Sequence, residues 1–276
     1  MFIRVGYDIT YNFPAPTDII LMLSMHPSRD SSIVVPERLI CDPPICMDKF
    51  MDLYGNRCAR AHCPGGRFRL RSDAVVKDDG LPDPVVPMAR QHALQELPPD
   101  VLHYLIGSRY CELEKLSDLA WTLFGQGPQG WARVQAICDW VHNHVTFGYH
   151  FARSDRTAYE TYLERRGVCR DFMHLAIALC RCMGIPARYA TGYLGDINVP
   201  PDPNPMDFSA WFEAFLEGRW YTFDARNNKP RVGRVLIARG RDAADVALTT
   251  SFGKHILERF TIRTEEVSEH EIQPMS

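Results

Sequence analysis

A segment in the second half of the chain, GVCRDFMHLAIALCRCMGIP at residues 167–186, most constrains the fold. Its apolar side chains recur at the spacing of one helical face, at Phe172, Leu175, Ala176, Leu179 and Met183. Gly184 is a typical residue to follow a helix, and Pro186 prevents the helix from continuing. The pattern predicts a helix whose N-terminus carries Cys169.

The rest of the chain divides by its periodicity. Residues 1–80 alternate apolar and polar positions, are rich in β-branched residues and are punctuated by Pro, Gly and Asp, which predicts a β-rich domain. Residues 81–99 contain LPDPVVP and LPP, a composition typical of an extended linker. Residues 100–276 are therefore expected to form a second domain, which contains the Cys169 helix.

The second domain mixes helical and strand patterns. We predict helices at 100–105, 113–124, 131–144 and 243–251, and strands at 188–194 and 257–265. Residues 209–224 have the pattern of a β-hairpin that turns at Glu217-Gly218. The basic stretch RNNKPRVGRVLIARGR, residues 226–241, is expected to be a solvated surface.

Composition narrows the class of protein. The chain has 276 residues, 46% of them hydrophobic, and a formal net charge of −3, so no excess of basic residues favours nucleic acid or an anionic membrane. No stretch approaches the roughly 20 apolar residues that cross a bilayer, and the start alternates like a strand rather than a signal peptide. We expect a cytoplasmic protein that binds neither nucleic acid nor membrane.

The nine cysteines do not suggest a disulfide framework or a metal site. Cys41, Cys46, Cys58 and Cys63 are the one group that resembles a ligand set, and their C-x4-C spacing departs from the usual zinc pattern. Small buried or loop thiols in a reducing compartment explain them. We expect no metal and no other cofactor.

Cys169 is the candidate nucleophile. Backbone N–H groups and the positive end of the helix dipole favour the thiolate at a helix N-terminus, and the same N–H groups can bind the oxyanion of a tetrahedral intermediate. The alternative is an unreactive buried cysteine, which is common in helices.

The hairpin brings two further positions together. If Glu217 and Gly218 form its turn, Trp211 lies opposite Asp224, and position 209 becomes a diagonal neighbour of Asp224 at roughly 7–8 Å. A histidine at position 209 would reach both Asp224 and a cysteine docked above the sheet. That arrangement is a cysteine–histidine–aspartate triad.

Two long motifs carry a family resemblance. GVCRDFMHLAIALCRCMGIPARYATGY is similar to the nucleophile helix and following strand of bacterial transglutaminase-like proteins, and DFSAWFEAFLEGRWYTFDAR resembles their histidine–aspartate hairpin. The resemblance implies an α+β fold, with a sandwich-like β-rich N-terminal domain and a papain-like domain of helices on an antiparallel sheet. It implies acyl transfer, peptide hydrolysis or related thioester chemistry, with peptide, protein, amine or acyl partners and site residues Cys169, Ser209 and Asp224.

The chain departs from the family at the position of the base. Ser209 stands where the family has histidine, and no histidine occurs between His174 and His255. Serine cannot act as a base near neutral pH. Asn227 marks a second position where related sequences often have histidine.

Two hypotheses follow, and whether the protein is an enzyme stays open between them. The first is a transglutaminase-like protein with an impaired triad that still binds a peptide, amine or acyl partner. The second is an active cysteine amidase, peptidase or acyl transferase with a substitute base, for which His142, His144 and His150 are candidates. His174 is expected to have a structural role.

Overall fold

A computed structural model describes residues 1–272 of the chain, and the architecture is α+β. The helices are α1 (Leu113–Phe124), α2 (Trp131–His144), α3 (Ala158–Glu164) and α4 (Cys169–Cys182). The strands are β1 (Phe2–Phe13), β2 (Thr17–Leu21), β3 (Ile33–Val35), β4 (Ile40–Asp42), β5 (Asp48–Met51), β6 (Arg57–Cys63), β7 (Gly66–Lys77), β8 (Thr146–Phe147), β9 (Arg166–Gly167), β10 (Ala187–Tyr193), β11 (Ser209–Leu216), β12 (Arg219–Phe223), β13 (Val235–Gly240), β14 (Thr249–Ser251) and β15 (Ile256–Val267).

The N-terminal strands build two antiparallel sheets. One has the order β15-β1-β7-β3, with β4 also paired to β7, and the other has the order β14-β2-β6-β5. In β1 the side chains of Ile3, Val5, Tyr7 and Ile9 are buried on one face, and Arg4 and Thr10 are buried on the other, because the strand lies inside its sheet between β15 and β7. The predicted β-rich N-terminal region is confirmed.

A third antiparallel sheet, with the order β12-β11-β10-β13, supports the Cys169 helix. Helix α4 packs on β10 and β11, and α1, α2 and α3 pack around α4. From Asp171 to Arg181 every side chain of α4 is buried, so this helix is enclosed on all sides. The predicted arrangement of helices on an antiparallel sheet is confirmed.

The C-terminal segment differs from its prediction. The helix expected at 243–251 is wrong, because the segment contains a turn and then β14, which pairs with β2. The last strand was assigned to the second domain, but β15 pairs with β1 along almost its whole length, from Phe2 opposite Val267 to Asn12 opposite Ile256. Such pairing satisfies the backbone groups that an edge strand would leave open. The boundaries 1–80, 81–99 and 100–276 remain a prediction.

Smaller differences concern short helices. Helices α1 and α2 have the predicted bounds, whereas the segment predicted as a helix at 100–105 is a 3₁₀ turn, Pro99–Tyr104. Helix α3 was missed, although Thr157 and Glu160 form a reciprocal capping box at its start, a signal that the sequence contains. In residues 1–272 no helix is long and apolar enough to cross a membrane.

The linker and the β15 pairing lead to a prediction about proteolysis. A cut between residues 81 and 99, where Leu81, Val85 and Met88 are exposed, should give two fragments that stay associated, because β1 and β15 lie on opposite sides of the cut. Size-exclusion chromatography of the nicked protein should give one native peak that separates only in denaturant. Fragments that separate under native conditions would contradict the pairing.

Candidate functional site

The start of α4 is held by a buried carboxylate. Asp171 has no exposed surface; its Oδ2 accepts a hydrogen bond from the backbone N–H of Val168 at 2.9 Å and pairs with Nη1 of Arg156 at 3.0 Å. Gly167 is required beside it, since a Cβ at this position would lie 2.6 Å from the same oxygen. These contacts place Cys169 in the first turn of the helix.

Cys169 opens into a cavity of about 670 Å³. Aromatic side chains form much of its wall, and Ser209 and Ala210 line it from the start of β11. Charged residues also line it: Arg153, Arg170, Asp196, Asp202, Asp207, Arg226 and Arg231. The cavity is large enough for a peptide side chain or a small acyl ligand.

The surroundings of Cys169 disfavour the thiolate. Burial raises the pKa of the thiol to about 11, and the carboxylate of Asp207 adds to the increase. Arg226 and the backbone N–H of Ala210 act in the opposite direction without reversing the shift. The helix N-terminus is expected to favour the thiolate, whereas burial of a negative sulfur disfavours it and is the largest cause of the raised pKa here.

The predicted register of the hairpin is confirmed. Leu216 pairs with Arg219 and Phe212 pairs with Phe223, with Glu217 and Gly218 in the turn. Both turn residues have positive φ, 45° and 77°, which suits a two-residue hairpin turn. This register brings Ser209 to the cavity that Cys169 lines.

Asp224 directly follows the last paired residue of β12, and its charge is one of those that raise the pKa of the Cys169 thiol. It also lines a second cavity of about 280 Å³, together with Asp83 and Asn228. Its Oδ1 accepts hydrogen bonds from the backbone N–H groups of Arg226 and Asn227, at 3.1 and 2.8 Å, and its Oδ2 accepts one from the Asn227 side chain at 2.7 Å. Cys169 and Ser209 thus line one cavity, while the carboxylate of Asp224 organises the turn that follows β12.

An arginine completes the surroundings of Asp224. Nη2 of Arg234 lies 2.9 Å from Oδ2 of Asp224, and Nε of Arg234 lies 2.9 Å from a carboxylate oxygen of Asp83. The guanidinium also lies 5.1 Å from the ring centre of Trp211. Burial by itself would raise the pKa of Asp224, but Arg234 and Asn227 lower it below its ordinary value. Asp224 is therefore ionised and paired without an imidazole.

The histidines proposed as substitute bases lie elsewhere. Within residues 1–272, which contain all ten histidines, none lines the Cys169 cavity. Nδ1 of His142 lies 2.9 Å from the carbonyl oxygen of Arg226, Nε2 of His144 lies 2.9 Å from that of Tyr162, and His150 packs on Phe151.

His174 is structural, as expected. Its ring is fully buried and stacks on Tyr110 with the ring centres 4.9 Å apart. Burial lowers its pKa well below the ordinary value, so the ring is neutral, and Nε2 accepts a hydrogen bond from the backbone N–H of Ala243.

Sequence reasoning missed three charged residues of the site, Asp207, Arg226 and Arg231. The basic stretch 226–241 was expected to be a solvated surface, and this is wrong for Arg231 and for Arg234, whose side chains are buried. Arg226 follows Asp224 by two residues, so its position next to a site residue was the one available signal. In residues 1–272 no group of three or more histidine, cysteine or acidic side chains is arranged to hold a metal ion.

Comparisons with known proteins extend these observations. Residues 119–225 match the family model described as the transglutaminase-like superfamily. A solved structure from Cytophaga hutchinsonii, provisionally described as a cysteine protease, is 36% identical to this chain with a TM-score of 0.82. That alignment covers 97% of this chain and 91% of the other.

Two curated relatives match a smaller part. An uncharacterised protein of Mycobacterium leprae, ML0607, is 36% identical over 85 residues, which cover 30% of each protein. An uncharacterised protein of Mycobacterium tuberculosis, Rv2569c, is 38% identical over 97 residues, which cover 32% of this chain and 31% of the relative. The chain thus matches about a third of the length of these curated relatives.

The buried pairing of Asp224 makes a prediction about stability. Arg234→Gln should lower the free energy of unfolding at pH 7 by about 3–5 kcal/mol, because it leaves Asp83 and Asp224 without their cation. Urea denaturation measures the change, with exposed Arg219→Gln as the control. A loss no larger than that of the control would contradict the pairing.

The same pair predicts a pH dependence. The folded-state pKa of Asp224 is lowered, so its contribution is fully present above the unfolded value of roughly 4 and is lost as the pH falls through the folded value. The stability difference between the parent and Arg234→Gln should therefore shrink in acid. A difference that stays constant as the pH falls to 3 would contradict this assignment.

Proposed function

Because the chain belongs to the transglutaminase-like superfamily, we propose that it binds a peptide, amine or acyl partner beside Cys169 without the cysteine–histidine–aspartate catalysis of that family. The cavity supplies the binding volume, and its aromatic wall supplies apolar contact. The relative described provisionally as a cysteine protease makes a peptide the first partner to test.

One observation carries this proposal: Ser209 occupies the position of the base. A serine hydroxyl takes no proton from a thiol near neutral pH, and no histidine of the described chain lines the cavity. Asp224, which would orient an imidazole, is bound instead to Arg234 and Asn227. The thiol, with a pKa of about 11, is protonated at neutral pH.

A second candidate is an active cysteine amidase, peptidase or acyl transferase that uses a carboxylate base. Asp207 favours it, because this residue lines the same cavity as Cys169 and acts on the thiol more strongly than any other charge. Partial withdrawal from water raises the pKa of Asp207, although part of the residue is exposed. It ranks second because a carboxylate is a far weaker base than the thiolate that it would have to generate.

Alkylation of the thiol tests the proposal. The rate of iodoacetamide reaction at Cys169 should rise only in alkaline solution, toward a midpoint near pH 11, because the thiolate is the reactive form. Mass spectrometry of the peptide that contains Cys169 measures the rate, with Cys169→Ala as the blank for the other cysteines. A thiolate that titrates below pH 7, or turnover of a peptide amide that Cys169→Ala abolishes, would favour the second candidate.

Restoring the base gives a stronger test. Ser209→His should raise the rate of alkylation at pH 7 by about 10²–10⁴-fold, because an imidazole would accept the thiol proton. Ser209→Gln is the matched control, since it adds volume and hydrogen bonding without a base. Equal rates in the parent and in Ser209→His would mean that the remaining site no longer positions an imidazole.

A further inference from the structure

The four arginines that line the Cys169 cavity differ in how many groups of the protein they pair with. Arg153 pairs with Asp155, Glu160 and Glu164 at 2.7–2.8 Å. Arg170 contacts Asp171 at 3.1 Å and the carbonyl oxygens of Arg153 and Ser154. These two guanidiniums are occupied by groups of the protein itself.

Arg226 is held in place while its charge stays available. Its guanidinium lies 4.1 Å from the ring centre of Phe147, and its backbone is fixed by Asp224 and His142. Its ion pair is with Asp202, at 3.8 Å, a loose contact. The side chain retains 22% of its exposure, so a ligand can reach it.

Arg231 is a buried cation in the lining of the cavity, and one of its donors has no hydrogen-bond partner. The residue is 7% exposed, and it donates to the side chain of Asn227 and to the carbonyl oxygen of Gly195. Its Nε is buried without a hydrogen-bond partner, and in residues 1–272 no carboxylate lies within 4.0 Å of the guanidinium. A buried donor of this kind is costly unless something binds it.

Two observations indicate what would bind there. Arg226 and Arg231 line one cavity, and like charges confined together favour an anion between them. Asp196, Asp202 and Asp207 line the same cavity and repel any anion, and the repulsion is greater for a doubly charged group such as a phosphate than for a carboxylate with one charge. A carboxylate also matches the planar fork of a guanidinium.

We propose that Arg226 and Arg231 form a binding site for a single carboxylate of the ligand that occupies the Cys169 cavity, so that the preferred peptide carries an acidic side chain. This inference rests on the proposed function, because it names the ligand class of the same cavity. Asp224 serves the site as a positioning residue, since its carboxylate holds the backbone of Arg226.

Paired peptides test the site. N-acetyl-Ala-Glu-Ala-amide and N-acetyl-Ala-Gln-Ala-amide have almost the same shape and differ in one charge. The glutamate peptide should bind about tenfold more tightly, because charge-assisted hydrogen bonds to arginine are stronger than neutral ones. Calorimetry at millimolar peptide and low salt measures both affinities. Equal affinities, or no binding of either peptide, would overturn the carboxylate site.

Substitutions of Arg226 and Arg231 test whether these two residues cause the preference for the glutamate peptide. Arg226→Gln should abolish the preference for glutamate, Arg226→Lys should retain part of it, and Arg231→Lys should weaken it. Exposed Arg219, which lies outside the cavity, supplies the control Arg219→Gln, which should leave the preference unchanged. Thermal unfolding of each variant identifies any loss of fold, and a folded Arg226→Gln protein that still prefers glutamate would overturn the assignment.

Failure of the carboxylate site can be distinguished from failure of the proposed function. A reactive thiolate at Cys169 would disprove the impaired triad and leave the glutamate preference to be measured in the same protein. Equal binding of the two peptides, combined with alkylation only in alkali, would remove the carboxylate site and retain the proposed function.

Discussion

The packing of α4 across β10 and β11 is the constraint on which the rest of the structure depends. From Asp171 onward the helix is buried almost to its end, so its first turn has one place that it can occupy, and Cys169 with it. The Asp171–Arg156 pair satisfies the one carboxylate buried at that start. The thiol of Cys169 is therefore fixed, and the other residues that line the cavity surround it.

Around that thiol, two candidate site residues have different surroundings. Ser209 lines the same cavity as Cys169, whereas the carboxylate of Asp224 is bound to Arg234 and Asn227. A buried carboxylate without a partner would be costly, and Arg234 supplies that partner for Asp224. The same carboxylate organises the turn that contains Arg226.

The charges around Cys169 are the basis of the binding function that we propose. A catalytic cysteine is served by nearby positive charge and a base, whereas the thiol of Cys169 has burial and the carboxylate of Asp207 against its ionisation. Arg226 and Arg231 line the same cavity, and we propose that their positive charge holds a ligand there.

The sequence by itself determined those local elements whose turn and cap residues lie close together in the chain. Helix α4 begins at Cys169 and is followed by Gly184 with positive φ, as its cap pattern indicated. The hairpin register followed from the turn at Glu217-Gly218. Both depend on hydrogen bonds between residues a few positions apart, which the pattern of side chains specifies.

Only the tertiary structure decided the partners that lie far apart in the chain. The pairing of β15 with β1 joins the two ends of the protein, and Arg234 binds an aspartate 151 positions away. The pKa of Cys169 is another such property, because burial and a carboxylate 38 positions further along the chain raise it. Desolvation and ion pairing depend on the distances between side chains in the folded protein, and a linear pattern does not contain those distances.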